Sequence, residues 1–396
     1  MGGRSNQFPA NSEIIIIGGG VIGLSISRAL ALRGVREVMV IEKGEFGREA
    51  SWAAGGILAP QVEADAADDF LKLACASRDL YPEFARALLN ESAIDIELDT
   101  TGTLYVAFTE AEEKDFHARF DWQRSQGLSI EWLQGEEARG LEPALSESVR
   151  CALRFPNDHQ VENRRLCEAL AISNRKLGTR LVDHCEVQKV RVDGGKIRGV
   201  ETSKGFIEAS VVVIAAGAWS SSVDPTANLQ VEPMRGQMLC FRTEPKLMRH
   251  VIYSSRGYVI PRRDGRLIAG STSEQVGFDK RVTEEGRAAI STMAAEIAPL
   301  VATLRPIDSW AGFRPRASDG LPVLGISTDI EGLCYATGHY RNGILLAPIT
   351  GDLVADAIIS GATSPLIAPF SPNRSSGPGS VQQSTRECFD TTEPVA

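Results

Sequence analysis

The chain has 396 residues, 43% of them hydrophobic, and a formal net charge of −9 at pH 7. That length supports a large core divided over two domains, and the acidic balance argues against nucleic-acid binding, which needs a basic surface. Seven cysteines are scattered with no C-x-x-C pair, a usage that fits reduced thiols in a cytoplasm better than a disulfide framework or a metal site.

Residues 1–11 are polar and turn-rich, without the apolar run of a signal peptide, and Asn6 stands where a myristoylation signal has Ser or Thr. No stretch reads as long and apolar enough to span a bilayer. The first element lies in "SEIIIIGGGVIGLSISRALALRGVREVMVIEK", residues 12–43. Ile14–Ile17 read as a short strand buried on both faces of a parallel sheet. Gly18, Gly20 and Gly23 fit G-x-G-x-x-G: a tight turn, a close backbone approach to a pyrophosphate, and a close helix-to-strand contact. A helix follows from Leu24 to Arg33, ended by Gly34, and "EVMVIE" is a second strand closed by Glu42. An acid at that place accepts hydrogen bonds from ribose hydroxyls, and the helix start attracts phosphates at Val21 and Ile22. A free carboxylate there suits an unphosphorylated ribose, hence FAD or NAD rather than NADP.

Further along, "REASWAAGGILAP" is a run of small residues that lets backbone approach a flat ring closely; a tight helix-to-strand junction is the plainer reading. Long helical patterns cover 67–92, 109–127 and 162–178, with a short helix in "GEEARGLEPAL". Strands with hairpin turns at Asp193-Gly194-Gly195 and Ser203-Lys204-Gly205 come next, then "VVVIAAGAWSS", a buried parallel strand ending in small residues. "GYVIPRRDGRLIAGST" is a hairpin, "RAAISTMAAEIAPLVA" a helix, and "GLCYATGHYRNGILLAPITGDLVADAII" a strand, glycine-rich turn and helix. The tail from Ser371 is rich in Ser, Pro, Gly and Thr and buries little.

The pattern predicts an α/β chain of two interleaved domains. One is a Rossmann-like dinucleotide-binding domain with a mostly parallel sheet, from 12–95, 151–234 and 319–368. The other is an α+β substrate domain on an antiparallel sheet, from 96–150 and 235–318. Residues 1–11 and 371–396 are expected to be disordered.

These motifs in this order resemble the FAD-dependent amine and amino-acid oxidases of the D-amino-acid oxidase class, and within it the glycine oxidases of thiamin biosynthesis. The resemblance runs over residues 12–368. Its most specific parts are "GYVIPRRDGRLIAGST", "WAGFRPRASDGLPVLG" and "GHYRNGILLAP". It implies non-covalent FAD, with the cofactor met by Gly18, Gly20, Val21, Ile22, Gly23, Glu42, Lys43, the segment Arg48, Glu49, Ala50, Ser51, Ala54, Gly55, Gly56, then Val187, Gly217 and the run His339, Tyr340, Arg341, Asn342, Gly343, Ile344, Leu345. It implies that Arg314 holds a substrate carboxylate, since Arg presents a planar fork, with Tyr258 and Arg341 beside it. Arg316 competes with Arg314 for that role. Arg314 as a surface ion pair, Tyr258 as a packing residue and Arg341 as a helix cap are the structural alternatives. Ser273 and Arg256 stand where relatives have Met and His, which implies a more polar, more positive substrate pocket.

The implied reaction is oxidation of glycine, a small N-substituted glycine or a D-amino acid. Hydride leaves Cα for the flavin, the imine hydrolyses to the keto acid, and oxygen is reduced to peroxide. The alternatives are a dehydrogenase of the D-amino-acid or sarcosine type with another acceptor, and a non-catalytic flavin-binding subunit. Cys334, in "GLCYATGH", reads as part of a buried strand rather than as a flavin attachment. The partners implied are a small amino acid and molecular oxygen, with no nucleic acid and no membrane, and the chain is expected to be a cytoplasmic homo-oligomer.

Overall fold

The computed structural model describes residues 10–374. Its centre is a six-stranded sheet in the order 323–326, 333–337, 211–214, 14–17, 38–41, 180–182. All neighbours run parallel except Val323–Ile326, which is antiparallel to Leu333–Thr337. Ile14–Ile17 sit in its middle, in register with Val38–Ile41 on one side and Val211–Ile214 on the other, and all four isoleucines are buried. Burial on both faces explains the unbroken apolar run. Each such side chain contributes about 1.5–3 kcal/mol.

Helices Val21–Leu32, Asp69–Ser92, Asn163–Leu177 and Gly343–Ser360 cover one face of this sheet with a shared apolar core. The other face is covered by a three-stranded antiparallel sheet, 187–193, 196–202 and 205–208, with its own core. Both predicted hairpins are present there.

The second layer is an eight-stranded sheet in the order 308–317, 231–242, 266–270, 257–261, 251–254, 103–107, 151–155, 131–134. It is antiparallel except where Val251–Ser254 runs parallel to Thr103–Ala107. Two boundaries differ from the sequence reading. Cys151–Phe155 pairs with Thr103–Ala107 and belongs to this sheet, not to the dinucleotide half. Strand Val231–Arg242 begins four residues before the expected border at 235. Pro233 and Gly236 interrupt its alternation, and pairing along the whole of Asp308–Ala317 holds it together.

One helix departs from expectation in another way. Gly343–Ser360 is long and apolar enough to cross a membrane by length and composition, where the sequence reading found no such stretch. Here it is packed against helices 21–32 and 69–92. It contains Pro348, which has no amide hydrogen to give the carbonyl of Ile344. The Tyr81 hydroxyl donates to that carbonyl instead, and Ser77 Oγ donates to Leu345 O at 2.6 Å. Tyr81 and Ser77 are four apart on one helix, so one face carries both donors.

The ends expected to be disordered lie mostly outside the described residues. Within them, Asn11 bridges Glu208 and Arg374 pairs with Asp319 at 2.7 Å, so these positions are tied to the fold.

Candidate active site

A long cavity runs between the two layers. Its first end is built by the strand–turn–helix at the chain start. Gly18 has φ +107°, and a Cβ there would run into the carbonyl oxygen of Ala215 on the neighbouring strand. Only glycine fits both the angle and the space. Gly20, Val21 and Ile22 line the cavity, whereas Gly23 does not; it packs against Gly18 and so brings helix onto strand. The amide of Val21 donates to Ser51 Oγ at 3.0 Å, which sets the Ser51 hydroxyl at the helix start, where anions collect.

Glu42 stands at the end of its strand, almost fully buried. One carboxylate oxygen accepts from Gly19 N at 2.8 Å and the other from Gly44 N at 3.0 Å. Each oxygen keeps a further lone pair for a ribose hydroxyl. Lys43 lies with its ammonium 3.0 Å from the centroid of the Trp219 ring, and burial lowers its pKa against the pull of Glu49 and Glu42. Val187 and Gly217 line the same end. A strand end, a glycine turn, a helix start and a fixed acid in one cavity fit an adenine–ribose–pyrophosphate group.

Midway, the segment 47–57 forms one wall, and Glu49, Ala50, Ser51, Ala54, Gly55 and Gly56 all line it. Arg48 lines it too, but its guanidinium pairs with Glu45 at 3.0 Å on the exposed side. The opposite approach is the turn before helix Gly343–Ser360, where His339, Tyr340, Arg341, Asn342, Gly343 and Ile344 reach the cavity. Leu345, expected there, is in the helix core instead, with its carbonyl held by Ser77. The His339 ring is 3.2 Å from Thr350 Oγ1, and burial pulls its pKa down to about 3; it is a neutral packing residue.

At the far end two residues expected together do meet. Arg314 Nη2 donates to Ser271 Oγ at 2.6 Å and Nη1 to Thr272 O at 3.0 Å. Tyr258 OH donates to the same Ser271 hydroxyl at 3.2 Å. The Arg314 guanidinium lies across Gly236 on the paired strand, and a Cβ at Gly236 would collide with it. Arg341 also lines this end and, with Glu63, lines a smaller adjoining cavity. Arg316 does not line the cavity; its guanidinium lies 5.8 Å from the Tyr340 ring centroid.

Two expectations fail at this end. Ser273 does not line the cavity; its hydroxyl sits 3.4 Å from Tyr340 OH, and Ser271, two residues earlier, faces inward. Arg256 points away and pairs with Glu296 of helix Glu284–Ile297 at 2.9 Å. Arg256 sits in the turn between strands Val251–Ser254 and Gly257–Pro261, outside the alternation of either, so its partner Glu296 decides which way its side chain turns.

Sequence reasoning passed over several groups. Glu63 lines the cavity and accepts from Tyr253 OH at 2.9 Å. The backbone just before it is pinned by buried Asp158, which accepts from Gln61 N at 3.1 Å and Val62 N at 3.0 Å. Met238 and Tyr253 also line the site, and nothing in their local sequence marks them. Cys185 lies at the Glu42 end, beside Val187, while Cys334 is a buried strand residue outside the cavity lining.

Comparison with known proteins gives a consistent result. Residues 13–357 match the profile of the family described as DAO, FAD dependent oxidoreductase. Glycine oxidase from Pseudomonas aeruginosa is 36% identical over 91% of this chain and 99% of its own length. The bifunctional protein ThiO/ThiG of Synechocystis sp. is 36% identical over 92% of this chain and 54% of that longer protein. The crystal structure of glycine oxidase from Geobacillus kaustophilus superposes with a TM-score of 0.89 at 35% identity, over 93% of this chain and all of that one.

Proposed function

The chain belongs to the DAO family of FAD-dependent oxidoreductases, and from that membership we propose that it oxidatively deaminates glycine, in the service of thiamin biosynthesis. The products are glyoxylate, ammonia and hydrogen peroxide. The observation that carries this reading is the convergence of Arg314 and Tyr258 on Ser271 at the far end of a dinucleotide cavity. The relatives named glycine oxidase and ThiO/ThiG support the substrate and the pathway.

When bound, FAD accepts the hydride that leaves the substrate's Cα, and oxygen takes the electrons on. Gly18 to Ile22 and Glu42 would hold its pyrophosphate and ribose, and the wall at 50–57 would flank its ring. Arg314 meets the substrate carboxylate with a fork already oriented by Ser271 and Thr272, so little ordering remains at binding. Tyr258 adds a hydroxyl to the same carboxylate, and Arg341 a second cation nearby. Glu63 gives the amino group a negative site. The start of helix Gly343–Ser360 supports negative charge that grows beside it during oxidation. Buried Cys151, Cys167, Cys185, Cys240 and Cys334 are free thiols, which supports a reducing, cytoplasmic setting. We take the enzyme to be a homo-oligomer, a state that light scattering on purified protein tests.

The deciding experiment is a peroxide-coupled screen of glycine, sarcosine, N-ethylglycine and several D-amino acids. Glycine or a small N-substituted glycine should release peroxide with the highest kcat/KM. Reduction of a dye without peroxide would move the protein to the dehydrogenases, and bound flavin that no amine reduces would sink the enzymatic reading.

A further inference from the structure

We propose that Arg262, with Asn163 and Trp310, is a positioning residue: from behind the cavity wall it fixes the backbone that presents amide hydrogens to the flavin ring. This rests on the reading that the ring end of FAD lies against Gly55–Ile57.

The segment needs outside support. Helix Ala50–Ala53 is a single turn, and its last carbonyls have no amide four residues on to bond with. Side chains from elsewhere replace those partners. Asn163 Nδ2 donates to Ser51 O at 2.8 Å and Trp52 O at 3.0 Å. Trp310 Nε1 donates to Ala53 O at 3.0 Å. Arg262 Nη2 donates to Gly55 O at 2.7 Å, and the backbone of Val161 donates to Gly56 O at 2.8 Å.

Arg262 ties the set together. It is 3% exposed. Its guanidinium also donates to Val161 O at 2.7 Å, Gln160 Oε1 at 3.2 Å and Asn163 Oδ1 at 3.2 Å, with Glu162 3.6 Å away as counter-charge. A buried cation with this many acceptors has one orientation. Neither Arg262, Asn163 nor Trp310 lines the cavity. Asn163 opens the helix Asn163–Leu177 of the dinucleotide half, while the other two come from the elements that build the substrate end. Arg262 directly follows the strand of Tyr258, and Trp310 stands on the strand of Arg314.

Peptide geometry turns this anchoring into chemistry. In a trans peptide the carbonyl and the following N–H point in opposite directions. With the carbonyls of Gly55 and Gly56 drawn back to Arg262 and Val161, the N–H groups of Gly56 and Ile57 turn to the other side, and both residues line the cavity. Two donors held against a ring that gains negative charge on reduction favour the reduced form without reorganising. Arg262 therefore acts on the reaction through backbone it never lets move.

The test uses FAD-loaded Arg262→Met, Arg262→Lys and Trp310→Phe. Dye-equilibrated reductive titration reads the flavin midpoint potential with no substrate present, so it stands or falls apart from the glycine assignment. Arg262→Met should give a more negative potential and a kcat with glycine lowered about 10- to 100-fold, with KM little changed because Arg314, Ser271 and Tyr258 stay in place. Arg262→Lys should recover part of both, and Trp310→Phe should shift both in the same direction by less. A wild-type potential in Arg262→Met overturns the proposal, as does a rise in KM at unchanged kcat. Should Arg262→Met fail to hold FAD, Trp310→Phe decides: wild-type potential and kcat in that variant overturn it as well.

Discussion

Removing the Arg314 guanidinium tests the substrate end most directly. In Arg314→Ala the two bonds to Ser271 Oγ (2.6 Å) and Thr272 O (3.0 Å) vanish. Those bonds use two of the five N–H groups, and each terminal nitrogen keeps a second hydrogen, enough to grip a carboxylate on both oxygens. Truncating one partner of a buried, hydrogen-bonded charge pair costs about 2–5 kcal/mol. Arg314 is half-buried rather than sealed, which favours the lower part, about 2–3 kcal/mol, or roughly 30- to 150-fold in kcat/KM. Arg314→Lys should regain only part, because a point charge lacks the planar fork. Flavin content should match wild type, since Arg314 lies at the opposite end of the cavity from Gly18 and Glu42. The assay is peroxide release against glycine concentration, with flavin absorbance as the loading control. Arg316→Ala is the comparison, as its guanidinium lies over Tyr340 outside the cavity lining. Wild-type kcat/KM in Arg314→Ala alongside a crippled Arg316→Ala would refute the assignment.

Glu42→Ala should weaken FAD binding to the apoprotein by about 1.5–3 kcal/mol for each charge-assisted ribose bond lost, read by flavin fluorescence; Glu42→Gln, which keeps an acceptor for Gly19 N, should bind more tightly than Ala. Tyr81→Phe leaves the carbonyl that Pro348 cannot serve without a donor, which should destabilise by about 1–3 kcal/mol in denaturant titration; an unchanged midpoint would mean water or another donor takes over. Burial holds His339 neutral with a pKa of about 3, so the unfolded chain takes the proton first and stability should fall as pH drops below 6.5 toward 3, by about 1.4 kcal/mol at pH 5.5. Asp158, raised by burial to about 7, slopes the opposite way between about pH 4 and 7, so the difference between wild type and His339→Gln is the measurement, and a flat difference would contradict a buried neutral imidazole.

What was legible in the sequence is what depends on neighbours along the chain. The strand–glycine–helix–strand–acid order is local, and each part constrains the next through backbone geometry, so Gly18 and Glu42 could be read before any contact was known. The carboxylate site was half legible. "GFRPR" marks an unusual density of guanidinium, but the choice between Arg314 and Arg316 depends on which one crosses Gly236, a residue 78 positions earlier that is paired to this strand. Ser273 fits the site by its place in a motif, whereas the inward residue is Ser271; both lie past the strand Arg266–Gly270, and the bonds from Arg314 Nη2 and Tyr258 OH to Ser271 Oγ distinguish them. Arg256 failed for a similar reason, since Glu296 that draws it away belongs to a helix 40 residues on. The supports behind the flavin wall were not legible at all. Asn163, Arg262 and Trp310 are ordinary residues in their own segments, and their role exists only because a one-turn helix at 50–53 and the glycines after it leave carbonyls open at the place where three distant elements converge. A local pattern can reveal which groups a site needs; which far residue satisfies a given carbonyl is decided by packing, and packing is where this chain departs from its motifs.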